Sequence, residues 1–446
     1  MLCALPAGAQ FRAGAAARII TPELGKGPVY LAGFGQNRVA TGVHDDLHAR
    51  CLAMAAGAGA PVVVCGVDSI GLFFDDVQAI RKAVTAGHKG QVEVVVAVTH
   101  SHETPDTMGL WGPRLGVSGL NEEYNQLVIG RTAEAALAAL AAMRPAIARL
   151  AKAASPRLRE FSYDSRPPVV LDDEIVALAV DDARTKRPIA VLANWASHPE
   201  ALGSANTLIT ADWCHYFYTE VEAETGATAV FINGALGGMM SPLGAKITDP
   251  ETGQPAPKDT FRLAEIVGRE AARHALKALA GAEPFTPDAV VYREKMAEIP
   301  VTNRNFLMAA AAGLFQGRKP MTAEKGTSAP VGYLRLSLAG RPWLEAAVIP
   351  GELYPELSVG PIVRDPGADF PDAPFEPVIK NELLTAPFRM VFGLANDEIG
   401  YIIPKAQWDE KPPYTFGAEK PWYGEINGPG PEAAPVILRT LAGLIE

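Results

Sequence analysis

Short apolar runs rich in valine and isoleucine alternate along the chain with longer alanine-rich segments. The runs are strand-like in length and lie at residues 61–68, 92–99, 189–195 and 227–234. The alanine-rich segments 125–143 and 261–281 have polar and apolar faces at helical spacing. This alternation predicts an α/β fold in which mixed sheets are layered with helices. More strand-like runs follow residue 285 and predict a second sheet or a mixed layer that joins the first.

The size and composition favour one large domain. The chain has 446 residues, of which 48% are hydrophobic, so it can bury a large core. Length alone would allow about three domains, but no low-complexity or charged linker divides the sequence. We therefore expect a single domain over residues 11–446. The net charge of −10, with scattered lysines and arginines, argues against nucleic acid or an anionic membrane as a partner.

The first ten residues, MLCALPAGAQ, are interpreted as a signal-peptide remnant or a disordered terminus. Ala7, Gly8 and Ala9 form a small-residue pattern typical of a cleavage site, which predicts a secreted or periplasmic protein. No run of eighteen apolar residues is present, so no transmembrane segment is expected. The oligomeric state is left open.

The four cysteines are too few for a disulfide scaffold, and none forms a CxxC pair. We therefore expect Cys3, Cys51, Cys65 and Cys214 to be buried thiols.

Polar side chains follow several predicted strands at the point where each strand ends. His100 and His102 follow the run VVVAVT and, two residues apart in extended chain, point to the same side. His198 follows a second apolar run, and Glu352 follows a third run and a Pro-Gly turn. Each residue taken singly could be a hydrogen-bonded histidine or a solvated glutamate. Together, His100, His198 and Glu352 supply two imidazoles and one carboxylate, the ligand set of many catalytic Zn²⁺ sites.

At these residues the chain resembles the neutral ceramidase family. The matching segments are THSHETP at 99–105, SHP at 197–199, GGMMSP at 237–242, PGE at 350–352 and ANDEIGY at 395–401. The opening segments RIITPELGKGPVYLAGFG and GVHDDLHARCLAM are also similar to the family's first segments. The resemblance runs from about residue 12 to the C-terminus and implies a neutral-ceramidase-like catalytic domain, without the additional immunoglobulin-like domain of full-length ceramidases.

The resemblance implies roles for eight residues. His100, His198, Glu352 and Tyr401 would bind zinc, and His102 would face the substrate carbonyl. Arg166 would pair with a substrate oxygen, Tyr423 would line the active site and Ser241 would contact substrate. An exposed arginine and a packing tyrosine are the alternatives for Arg166 and Tyr423.

The chain also departs from the family pattern at three places. Glu103 and Thr104 stand where the family has Ser-Gly, and Glu398 stands where it has a tyrosine. The turn at Ser241 is one residue longer than the family's turn and lacks its aspartate. These departures predict a different choice of substrate.

The predicted function is zinc-dependent hydrolysis of an amide bond in a small-molecule or lipid-like N-acyl substrate, which suggests a place in lipid metabolism. A zinc-dependent esterase or lactonase and a catalytically silent binding protein are the alternatives. A serine hydrolase is not expected, because no GxSxG motif is present. The apolar segment 306–315 is interpreted as a core helix, with the lining of an acyl-chain pocket as the alternative.

Overall fold

The structure is a computed structural model that describes residues 11–238, 240–315, 317–318 and 321–446. The signal-remnant interpretation of residues 1–10 and the prediction for Cys3 therefore lie outside the described residues. The described chain is a mixed α/β fold, as predicted.

Sixteen strands are present in the described residues. They are β1 Arg12–Ile19, β2 Gly42–Val43, β3 His48–Ala55, β4 Val62–Val67, β5 Glu93–Val98, β6 Arg144–Ala153, β7 Ile175–Asp182, β8 Pro188–Trp195, β9 Leu208–Ile209, β10 Thr228–Asn233, β11 Ala289–Ile299, β12 Thr327–Leu338, β13 Arg341–Val348, β14 Glu352–Leu353, β15 Phe388–Phe392 and β16 Tyr401–Ile402.

Some long helices of the described residues have a first turn that is capped by a polar side chain, such as Asn121 or Thr260. The α-helices of the described residues are α1 Phe74–Gly87, α2 Glu122–Ala141, α3 Pro156–Arg159, α4 Trp213–Thr225, α5 Phe261–Ala280, α6 Arg304–Ala311, α7 Pro355–Val359, α8 Tyr423–Ile426 and α9 Ala433–Ile445. Within the described residues no helix has the length and apolar character needed to cross a bilayer.

Two large sheets form the centre of the molecule. One has eight strands in the order β10-β8-β7-β6-β1-β3-β4-β5, and the second has four in the order β11-β12-β13-β15. The pairs β4/β5, β8/β10 and β13/β15 are parallel, whereas the other pairs in these two sheets are antiparallel. The second sheet confirms the prediction made from the strand-like runs after residue 285.

The layers follow from the two-residue period of the strands. In β4, Val63 and Val67 belong to a core shared with helices α1, α2, α4 and α5. Val62 and Val64 alternate with them and belong to the core shared with the four-stranded sheet. A third core packs α9 on the far face of that sheet. The order of layers is therefore helices, large sheet, small sheet and helix.

The prediction that the cysteines are free thiols is wrong for one pair. Cys51 in β3 and Cys65 in β4 face each other across an antiparallel pair and form a disulfide, with a Cα–Cα distance of 4.1 Å. The spacing of fourteen residues does not show the register of two strands, which is why the sequence pattern gave no sign of this bond. Cys214 is a buried thiol, as expected.

The core-helix interpretation of segment 306–315 holds only in part, since Phe315 is buried in a small hydrophobic cluster against which Phe306 and Leu307 pack. Helix α6 has no buried residue, whereas Phe306 and Phe315 line a cavity described below. An apolar run gives no information on which of two apolar environments it faces, a packed core or an open chamber.

Candidate metal centre

Four polar residues from separate strand ends meet at one point. His100 follows β5, His198 follows β8, and Glu352 and Tyr401 lie opposite each other in the parallel pair β14/β16. Residues at the carboxyl ends of strands converge in this way in many α/β proteins.

The histidine rings surround one carboxylate. The His198 Nε2 atom lies 3.2 Å from Glu352 Oε2, and the His100 Nε2 atom lies 3.7 Å from Glu352 Oε1. The two ring centroids are 5.1 Å apart. Tyr401 forms a side-chain hydrogen bond with Glu352. The four ligands that the family resemblance implies are therefore brought together.

The far nitrogen of each histidine is held by the backbone. His100 Nδ1 lies 2.5 Å from the carbonyl oxygen of Ile70, and His198 Nδ1 lies 2.9 Å from that of Met240. A carbonyl can only accept a hydrogen bond, so each Nδ1 carries a proton. In the neutral ring Nε2 then carries the lone pair, whereas the protonated ring of His198 donates from Nε2 to Glu352. A metal-binding histidine is commonly oriented in this way. His100 also has a positive φ of 67°, an uncommon backbone conformation for a residue other than glycine.

A third histidine adjoins the pair. The ring of His102 lies 5.1 Å from that of His100 and 5.5 Å from that of His198. Its Nδ1 atom is 3.3 Å from Glu200 Oε2, although the geometry of this contact is not that of a hydrogen bond. The three histidines offer nitrogens within 4.8 Å of one another and could also hold a metal ion. Because the rings of His100 and His198 are fixed through Nδ1 and both approach Glu352, the four-ligand arrangement fits better.

Burial sets the protonation states. It lowers the pKa of His100 to about 4, against the opposing charge of Glu352. Burial also lowers the pKa of His102 well below its ordinary value, and the neighbouring histidines act in the same direction. For His198, burial is outweighed by the hydrogen bond to Glu352 and the charge of Glu200, so its pKa is raised. The buried Nε2–carboxylate contact thus favours a positive charge, which a metal ion can supply.

The cluster lies at the wall of a cavity of about 440 Å³. Most of the lining is apolar, and the polar lining comes from His100, His102, three glutamates, Arg318, Asn427 and two tyrosines. The apolar lining includes Phe34, Ile70, Met108, Leu110, Trp111, Leu243, Phe306, Phe315, Met321 and Ile399. A chamber of this kind can hold a small molecule with a large apolar part.

Of the other three predicted residues, Tyr423 lines the cavity, whereas Ser241 and Arg166 do not. Tyr423 lines the cavity, and its ring lies 5.8 Å from that of Tyr401. Burial and then the charge of Glu352 raise the pKa of Tyr423 to about 12, so its hydroxyl stays protonated at neutral pH. Ser241 is not among the lining residues; its Oγ accepts a hydrogen bond from the Leu243 backbone.

Arg166 is buried away from the cavity lining. Its guanidinium lies 2.7 Å from Glu425 and donates to the Tyr354 hydroxyl and the Gln407 carbonyl. These contacts occupy the donors that a substrate oxygen would need. The predicted substrate contact of Arg166 stays a prediction.

Three residues of the site gave no signal in the sequence. Glu200 follows His198 by two residues and lines the cavity beside His102. Asn233 bonds the backbone next to two of the histidines. Gly33 makes room for the ring of His102, since a Cβ at Gly33 would lie 2.4 Å from His102 Cγ. Gly33 lies in the segment AGFG at 32–35, which resembles the ceramidase family, but the resemblance does not predict its contact with a histidine.

Fold and site together define an α/β protein with a buried histidine and carboxylate cluster able to hold a metal ion. No protein-family model matches the sequence, and no curated protein matches it significantly. Solved structures do match. Neutral ceramidase from Pseudomonas aeruginosa superposes with a TM-score of 0.73 at 16% identity, covering 98% of this chain and 74% of that one. A ceramidase complexed with C2 superposes with a TM-score of 0.72 at 15% identity, covering 98% and 75%. The chain therefore has the neutral ceramidase fold, as predicted.

Proposed function

We propose that the protein is a zinc-dependent hydrolase that cleaves the amide bond of an N-acyl substrate. The observation that supports this most is the meeting of two Nδ1-anchored histidines at one carboxylate, on the wall of a mainly apolar cavity. His100, His198, Glu352 and Tyr401 would hold the ion. Nitrogen and oxygen ligands of this kind suit Zn²⁺.

Zinc bound there would supply a Lewis acid for the scissile carbonyl and activate a water molecule. The chain's own residues would handle the protons. His102 lines the cavity and lies beside Glu200, so its ring would be placed to exchange a proton with the attacking water and the leaving amine. Tyr423 keeps its hydroxyl proton and can donate a hydrogen bond to the developing oxyanion. Ser241 adjoins this group through a side-chain hydrogen bond with Glu200.

The proposed substrate class rests on two observations. The cavity lining is mainly apolar, which suits an acyl chain. The chain also shares its fold with two structures of ceramidases. Esters and lactones remain substrates to be compared, because the same chemistry attacks them more readily than amides.

We also propose a secreted or periplasmic location. The disulfide between Cys51 and Cys65 supports this, since disulfides persist mainly in oxidising compartments.

The test compares metal content and turnover in four proteins. Elemental analysis of the wild type should give one zinc per chain, lost in His198→Ala and kept in His102→Gln. The control is His88→Ala, at the end of α1 and outside the site, which should keep both metal and activity. Hydrolysis of a chromogenic N-acyl panel, with matched esters, should disappear in His198→Ala and fall at least about a hundredfold in His102→Gln.

Each result separates the alternatives. Loss of zinc in His102→Gln would favour a three-histidine site over the proposed one. Full activity in metal-free protein would contradict the zinc mechanism. A protein that binds zinc but hydrolyses neither amides nor esters would point to the binding-protein alternative.

A further inference from the structure

Glu398 is a buried carboxylate with one free oxygen. It lines the cavity and is only 4% exposed. Its Oε1 atom accepts a hydrogen bond of 2.7 Å from the Gly400 backbone. Its Oε2 atom has no hydrogen-bond partner among the described residues. A buried carboxylate oxygen without a donor is costly, so this atom needs a partner from outside the chain.

No described residue donates a hydrogen bond to this oxygen, and apolar groups lie beside the side chain. Gly71 makes room there, since a Cβ on Gly71 would lie 3.4 Å from Glu398 Cγ and 2.4 Å from Met108 Sδ. Met108 and Ile399 provide the adjoining cavity lining. Apolar groups therefore form part of the surroundings of Glu398, and the charges of Glu352, Asp397 and Arg318 also act on it.

Arg318 is the cationic residue among the described lining residues, and it is already engaged. Its guanidinium forms a buried ion pair with Asp397 and donates to the Thr327 hydroxyl and the Ser328 carbonyl. Its charge is balanced by Asp397, which does not line the cavity. Its charge also acts on Glu398, although it donates no hydrogen bond to Oε2, and its Nε has no hydrogen-bond partner among the described residues.

The other ionisable side chains of the cavity wall, besides the histidines, the tyrosines and Arg318, are carboxyl groups. Glu200, Glu352 and Glu398 all line it. Burial, and then the charge of Glu352, raises the pKa of Glu398 well above its ordinary value, so its carboxylate form needs a positive charge or hydrogen-bond donors beside it. A ligand that carries a positive charge and hydrogen-bond donors would supply both.

We propose that Glu398 selects substrates that carry a protonated amine, which donates a hydrogen bond to Oε2 while the apolar part of the molecule fills the chamber. This rests on the proposed function for the identity of the cavity as the substrate site. The neutral ceramidase pattern has a tyrosine at this position, so the preference is a property of this chain and sets it apart from the family pattern.

The experiment measures binding and needs no turnover. Isothermal titration calorimetry compares octylammonium with octan-1-ol on the full-length, zinc-loaded protein, since the two probes share one chain and differ in charge. We expect octylammonium to bind the wild type at least tenfold more tightly. Glu398→Gln, which keeps an acceptor for Gly400, and Glu398→Tyr should both reduce this ratio to about one. Glu419→Gln, which removes an exposed carboxylate, should leave it unchanged.

Two results would overturn the proposal. One is equal binding of the two probes, or no binding of either, by the wild type. The other is a preference for octylammonium that survives in Glu398→Gln, which would assign it to another carboxylate or to the net charge of the chain. Zinc content and melting temperature of each variant check that fold and metal site are intact. Because hydrolysis is not measured, absence of amidase activity leaves this test valid.

Discussion

Asn233 makes four hydrogen bonds, three of which join the two histidine loops. Its Nδ2 donates to the carbonyl oxygens of Thr99, at 2.9 Å, and Ser197, at 2.8 Å. Its Oδ1 accepts from the backbone of Ser197 and Gly234. Thr99 and Ser197 directly precede His100 and His198, so one buried amide sets the distance between the two proposed ligands. Residues that orient metal ligands usually affect metal affinity strongly.

We predict that Asn233→Ala lowers zinc affinity by about ten- to a hundredfold, because the two loops lose their common anchor. Stability should fall by about 1–3 kcal/mol for the unpaired backbone groups. The matched control is Asn194→Ala, since Asn194 is also buried and bonds the carbonyls of Ile232 and Val391. Competition with a chelating dye measures the affinity, and urea unfolding measures the stability. Equal zinc affinity in both variants would show that Asn233 has a structural role only.

The close approach of β10 to β4 allows the site to form. In the order of the large sheet these strands are far apart, but β10 also contacts β3, β4 and β5. Gly66 in β4 lies under this contact, and a Cβ there would be 2.4 Å from the Phe231 carbonyl oxygen. A glycine is needed because two backbones meet at this point. The loops after β5 and β8 can therefore approach each other.

Gly66→Ala should destabilise the protein by about 1–3 kcal/mol, since the added methyl group forces the strands apart. It should also weaken zinc binding, because the strand ends that carry His100 and the Asn233 anchor would separate. Gly130→Ala in α2 is the control, as nothing lies within 4 Å of its Cβ position; there alanine should stabilise the helix by about 0.5–1 kcal/mol. Chemical unfolding with and without zinc measures both effects. If Gly66→Ala leaves stability unchanged, the contact between the strands is not tight.

At the scale of the whole molecule, the proposed metal ligands join distant parts of the chain. His100 and His198 follow strands of the large sheet, whereas Glu352 and Tyr401 belong to a short pair that follows the small sheet. An unfolded chain cannot hold these groups together, so a metal ion held by them would bind the folded state. Binding to the folded state alone raises stability with the concentration of free ligand.

Removal of metal with EDTA should therefore lower the melting temperature, and added zinc should restore it. At a free zinc concentration a hundredfold above Kd, the stabilisation is about 2.7 kcal/mol. Differential scanning calorimetry of the wild type and His198→Ala provides the comparison. The variant should melt at the same temperature with and without EDTA, and a shift of equal size in both proteins would place the stabilising ion elsewhere.

The layered α/β fold and the residue types of the site can be predicted from sequence patterns. The period of the apolar runs separates strands from helices, and polar residues after strands predicted His100, His102, His198 and Glu352. The convergence of His100, His198 and Glu352 depends on contacts between segments that are far apart in the sequence, which local pattern does not encode. The register that pairs Cys51 with Cys65, the anchor Asn233, the space at Gly33 and the unpaired oxygen of Glu398 were decided by tertiary packing. Each depends on which backbone or side chain lies opposite, and that is fixed only when the layers assemble.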